Sequence, residues 1–130
     1  MQTSFSTLLF IFAAAAACLL TTQAAPVVSN LQARGSRSGG ATYYAVGLGS
    51  CGENNSDTEM VAALSTSLMG GHNSDLCGKY INVKSGSASV TVKVVDSCPA
   101  CSEDDIDMSK AAFKQLGSPD KGRIPITWSL

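Results

Sequence analysis

The stretch SVTVKVVDSCPAC, Ser89 to Cys101, decides how this chain is read. Val90, Val92 and Val94 share one face and Thr91, Lys93 and Val95 the other, which is the period of a strand. The run stops at an acid, Asp96, followed by Cys-Pro-Ala-Cys. Asp96 continues the valine parity, so the pattern predicts a carboxylate on the interior side where the strand leaves the core. A strand that carries an acid to its end, beside two cysteines, holds one polar group rigidly. Asp96 is therefore a candidate for chemistry, for ligand binding, or for tying down its own loop.

Immediately before this strand, Tyr80 to Val83 and the turn sequence Ser85-Gly86-Ser87 make the strongest hairpin signal in the chain. Farther back, Met60 to Leu64 is an apolar run of strand length. Ala41 to Val46, ATYYAV, is rich in strand formers and is the expected first strand. Tyr43 and Tyr44 are adjacent on it and must face opposite sides, one toward the core and one free to stack on a ligand. On the other side of the organising stretch, Ser109 is placed to cap a helix over Lys110–Leu116, with Ala112, Phe113 and Leu116 as its apolar stripe and Gly117 at its end. Ile124, Ile126 and Trp128 alternate in a closing strand. Six short strands and one short helix in the C-terminal half predict an all-β domain, a small closed β-barrel.

The first 24 residues are set apart. Leu8 to Leu20 is apolar and uncharged, and Thr22-Gln23-Ala24 offers small residues for cleavage, so 1–24 reads as a secretory signal peptide even though no Lys or Arg precedes the apolar run. Residues 25–40, ending in RGSRSGG, read as a flexible leader, which leaves 41–130 for the barrel. Asn54-Asn55-Ser56 is an N-glycosylation sequon in a polar loop, with Asn54 the acceptor. The formal charge of −1 gives no electrostatic case for nucleic acid. No membrane association is expected after cleavage, no cofactor is called for, and a secreted monomer is expected.

Cys51, Cys77, Cys98 and Cys101 remain beyond the signal segment, an even number that argues for two disulfides in a small secreted domain. Three pairings are open. Cys98-x-x-Cys101 also admits a redox pair, but the acidic run Glu103-Asp104-Asp105 that follows would raise a thiol pKa rather than lower it. A zinc site would need Cys51 and Cys77 or His72 as further ligands; secretion disfavours it, and no metal is expected. Read as a structural clamp, Cys98–Cys101 leaves Cys51–Cys77. Of the other acids, Asp57, Glu59 and Asp75 read as loop residues, and Asp107 as a turn or helix-start acid. His72, alone among glycines and Asn, has no recognisable nucleophile partner.

In order, Ala41-Thr42-Tyr43-Tyr44, Gly49-Ser50-Cys51-Gly52, Leu76-Cys77-Gly78-Lys79, Val94 to Cys101, Ile106-Asp107-Met108-Ser109 with Ala112-Phe113, and Trp128 resemble the rare-lipoprotein-A-like, barwin-like and expansin-like superfamily of small secreted proteins, single-domain fungal forms above all. The resemblance implies a six-stranded double-psi β-barrel with a groove in which Asp96 lies beside aromatic residues. On the binding reading Asp96 accepts hydrogen bonds from a ligand, Tyr43 or Tyr44 supplies a stacking face, and Thr42 contributes a hydroxyl. The hydrolytic relatives carry a second aspartate where this chain has Ser50, and the bacterial relatives a histidine where Leu64 and Ser65 stand. The His-Phe-Asp of expansins is not present, and their second domain is not expected here. The fold therefore transfers and the catalytic machinery does not. The expected function is non-hydrolytic binding or loosening of cell-wall polysaccharide. The alternatives are a secreted inhibitor or effector whose partner is a protease or host protein, and a weak glycosidase or lytic transglycosylase using Asp96.

Overall fold

The computed structural model describes residues 35–71 and 73–130. The signal-peptide expectation, most of the leader and His72 lie outside the described residues. Six strands close into a barrel: β1 (Ser36–Tyr43), β2 (Val61–Ser65), β3 (Tyr80–Ser85), β4 (Ala88–Cys98), β5 (Ile106–Met108) and β6 (Ile124–Ser129). Around the barrel they run β1-β5-β2-β4-β3-β6. The pairs β1/β5 and β2/β4 are parallel and the other four antiparallel. One short helix, α2 (Lys110–Leu116), and a single helical turn, α1 (Thr66–Met69), flank the strands.

The interior is built by alternation. On β6, Ile124, Ile126 and Trp128 are buried and their neighbours exposed; Ile81 and Val83 do the same on β3, and Val90, Val92 and Val94 on β4. Phe113 of α2 is fully buried and plugs the barrel's flank. Ser109 caps that helix by accepting from the Ala112 N–H at 3.2 Å, while its own hydroxyl donates to the Glu59 carbonyl.

The first strand begins earlier than its composition indicates. Ala41–Val46 was the expected strand and 25–40 the leader, yet β1 runs Ser36–Tyr43. Residues 36–40, poor strand formers, are drafted by pairing: Ser36 opposes Ser129 and the ladder continues to Ala41 opposite Ile124. Side chains lock the seam. Arg37 bonds Asp104 at 2.6 Å and lies 5.5 Å above the Trp128 ring, whose Nε1–H donates to the Asp104 carbonyl at 2.8 Å. A Cβ at Gly39 would overlap that same Asp104 carbonyl, so the close approach requires glycine. Asp105, only 8% exposed, accepts from the Gly40 N–H at 2.8 Å and from Arg123 at 2.7 Å.

The disulfides are Cys51–Cys77 and Cys98–Cys101. The first spans 26 residues and holds the 47–55 loop against the end of β3; the second closes the turn after β4. In the chain-entropy picture their loop sizes are worth about 3.5 and about 2 kcal/mol respectively. The Cys51→Ser/Cys77→Ser protein should therefore lose more stability than the Cys98→Ser/Cys101→Ser protein, read as the larger drop in unfolding free energy extrapolated to zero urea. The reverse order would place the barrel's main staple in the short turn.

Candidate functional site

The placement of Asp96 is set by one irregularity in β4. Ala62 of β2 pairs with Val94, but Ala63 pairs with Asp96, so Val95 is an extra residue, a β-bulge. The bulge reverses the parity of everything after it. Asp96 does not continue the Val90–Val94 face into the interior; it shares the outward side with Ala63. Both Val94 and Val95 are buried, and the Val95 carbonyl, turned out of the ladder, accepts from the Cys51 N–H at 3.2 Å.

A row of outward positions then crosses four strands. Thr42 of β1 opposes Asp107 of β5, Asp107 opposes Ala63 of β2, and Ala63 opposes Asp96 of β4. With strands about 4.8 Å apart, the two acids have Cα atoms about 10 Å apart, with only an alanine methyl between. Asp107, read from sequence as a turn or helix-start acid, is thus a strand residue in the floor of the site. Thr42 donates its hydroxyl to Asp107 Oδ1 at 2.9 Å. Asp96 Oδ1 accepts from the backbone N–H groups of Ser50 and Ser97, each at 2.8 Å. Each carboxylate is held through Oδ1, and the Tyr44 hydroxyl lies within hydrogen-bonding reach of Asp96.

The Ser50 N–H arrives at Asp96 because the 49–51 loop lies directly on the bulge. A Cβ at Gly49 would overlap the Val95 carbonyl oxygen, so that position needs glycine for the approach.

The tyrosines divide. Tyr43 turns its ring onto Phe113, 4.9 Å between centroids, sends its hydroxyl to the Pro119 carbonyl at 3.2 Å and has Lys110 above its ring at 6.0 Å. It is a wall rather than an open stacking platform. Tyr44 stands half-buried beside the two acids; burial first, then the charges of Asp96 and Asp107, push its hydroxyl pKa well above the ordinary value. Tyr43, Tyr44, Ala45, Asp57 and Lys110 line a depression of about 220 Å³ at this end of the groove. Asp57 fixes that rim: its side chain accepts from the Val46 N–H at 2.8 Å and its carbonyl from the Ala111 N–H at 3.2 Å. A larger depression, about 510 Å³ on the β1/β6/β3 side, carries Lys84 as its single charged group.

Asp107 also touches the clamp. Its carboxylate and the sulfurs of Cys98 and Cys101 all lie within 4.8 Å of one another. Joined as a disulfide these sulfurs are not thiolates, so the cluster offers a metal one carboxylate rather than a ligand set. Asn54, the sequon acceptor, is exposed and forms an isolated bridge with Leu48 on the loop that borders the groove.

Two acids only two residues apart have opposite electrostatics. At Asp105 burial works against the charge, but Arg123 and the Gly40 N–H outweigh it and hold the carboxyl below the usual range. At Asp107 burial raises the pKa and the Asp96 charge adds to it, with the Thr42 hydrogen bond opposing. A depressed pKa stabilises the fold above the unfolded-chain value of about 3.9, and that stability is lost as pH falls through the folded value. A raised pKa stabilises below about 3.9, and that contribution is lost as pH rises through the folded value. Asp107→Asn should therefore raise the unfolding midpoint by a few degrees at neutral pH and by nothing near pH 3. Asp105→Ala, which strands the Gly40 N–H, should cost about 1–3 kcal/mol at neutral pH and less in acid. Thermal unfolding at the two pH values checks both signs.

Comparison with known proteins agrees with this architecture. Residues 36–128 match the double-psi β-barrel family described as lytic transglycolase. An EG45-like domain containing protein from Citrus jambhiri is 33% identical over 125 residues, covering 85% of this chain and 92% of that protein. The papain inhibitor of Streptomyces mobaraensis is 32% identical over 121 residues, 88% of this chain and 85% of the inhibitor. The solved Streptomyces papain inhibitor superposes with a TM-score of 0.67 at 31% identity, over 72% of this chain and 92% of the inhibitor. A variant of Clavibacter michiganensis expansin in complex with cellohexaose superposes with a TM-score of 0.64 at 28% identity, over 72% of this chain and 48% of the expansin.

Proposed function

The chain belongs to the double-psi β-barrel family described as lytic transglycolase, and from that premise we propose that it is a secreted protein whose groove binds a cell-wall polysaccharide without hydrolysing it. The row Thr42–Asp107–Ala63–Asp96 carries the reading. The carboxylates of Asp96 and Asp107 accept hydrogen bonds from sugar hydroxyls, and the alanine between them leaves room for a chain to lie across the floor. Tyr44 adds an aromatic edge beside them. The expansin that superposes here carries cellohexaose in its solved complex, so a β-linked glucan is the first ligand class to try.

The same row argues against two-carboxylate glycoside hydrolysis. That chemistry sets its acid and its base or nucleophile on opposite sides of the scissile bond. Asp96 and Asp107 rise from one sheet surface and meet the same face of a bound chain. A lytic reaction needs a single proton donor and acceptor, and Asp107, with its raised pKa, is better suited to it than Asp96.

Purified protein should be retained on cellulose or native wall material and release neither reducing ends nor anhydro-sugars. Asp107→Asn and Asp96→Asn should each weaken retention by roughly tenfold or more, the worth of one charged hydrogen bond. Loss of retention by the unmutated protein on every wall polymer tried removes the binding reading. Release of anhydro-sugar that Asp107→Asn abolishes replaces it with the lytic one.

A second reading, inhibition of a papain-like protease, is favoured by extent of match: the barrel covers 92% of the solved papain inhibitor but 48% of the expansin chain.

A further inference from the structure

Four large hydrophobic side chains are exposed among the described residues: Leu48 (76%), Tyr80 (71%), Leu130 (53%) and Met60 (38%). Three of them gather around one ion pair. Lys93 Nζ meets both carboxylate oxygens of Glu53 at 2.8–2.9 Å. Tyr80, the first residue of β3, lies directly across from Lys93 on β4. The Lys93 N–H donates to the Met60 carbonyl at 2.9 Å. The Glu53 carbonyl accepts from the Gly49 N–H at 3.0 Å, next to Leu48.

The loop that presents Leu48 is fixed at several points. Asn55 N–H donates to the Gly47 carbonyl and Gly52 N–H to the Gly49 carbonyl. Gly49 rests on the Val95 carbonyl, and Cys51 is bonded to Cys77. Leu48 stands between two glycines, so no neighbouring side chain shields it. An apolar side chain held out on a braced loop loses little conformational entropy when a partner covers it.

This patch differs in chemistry from the acid row farther along β4. Leu48 and Met60 offer no group to a sugar hydroxyl, and the one charged pair is already satisfied within the patch. Apolar and aromatic anchors around a neutralised pair are the anatomy of a protein-binding centre. We propose that Leu48 and Tyr80, set around the Lys93–Glu53 pair, form the surface that docks on a papain-like cysteine protease; the proposal rests on the inhibitor reading above. Leu48, slim-flanked and projecting, enters the protease cleft, and Tyr80 packs against its rim. The acid row and the protease surface then lie side by side on the outer face of β4, with the 47–55 loop docked on Val95 between them.

The test titrates papain with the unmutated protein and with Leu48→Asp, Tyr80→Ser and Lys84→Ala. Leu48, Tyr80 and Lys84 are exposed, so each variant should keep the parent unfolding midpoint. The expected result is inhibition by the unmutated protein and by Lys84→Ala, with inhibition weakened at least about tenfold in Leu48→Asp and in Tyr80→Ser. Inhibition that survives both substitutions overturns this surface and leaves the inhibitor reading standing. Absence of inhibition by the unmutated protein overturns the reading and the docking surface together.

Discussion

The extra residue at Val95 is the constraint on which the site depends. Without it β4 would pair with β2 in unbroken register and Asp96 would be carried toward the apolar interior, where a lone carboxylate is costly. With it, the acid joins Thr42, Asp107 and Ala63 on the outer surface, and one carbonyl is released from the ladder. That carbonyl receives the Cys51 N–H, and the docked loop supplies the Ser50 N–H to Asp96. A single insertion thus orients the acid and recruits the segment that holds it. Bulges beside functional sites re-aim side chains in this way.

Stability and site chemistry are kept apart within three residues. Asp105 is buried, bonded to Arg123 and the Gly40 N–H, and contributes to closing the barrel. Asp107 is partly buried, faces a second acid and carries a charge that the fold does not favour. Asp105 lies in the turn before β5, outside the strand's alternation, whereas Asp107 is the outward residue between buried Ile106 and Met108. Burial and the neighbouring acid thus work together against the Asp107 charge.

What could be read from sequence follows from where periodicity is local. The β3–β4 hairpin, β6 and α2 were legible because each buries one face by regular spacing and ends at a recognisable turn or cap. The start of β1 was not: Ser36 to Gly40 has no strand signal, and its conformation is imposed by β6 and by the Arg37–Asp104–Trp128 lock, partners some 65 to 90 residues away. The direction of Asp96 was misread because a bulge is defined by the partner strand's register. Asp107 did leave a trace, apolar Ile106 and Met108 flanking one acid, a period-two signal three residues long that the capping serine beside it overshadowed. The short strand's meaning came from its neighbours on both sides, β1 and β2.

The pairing of β1 with β6 places Ser36 beside Ser129. Chain entering the barrel and chain leaving it therefore pass through the same point. Thr42 lies six residues along β1, about 20 Å from that point. A tether or reporter attached beside Ser36 or Ser129 would hang from one corner of the barrel, with the acid row at the far end of β1.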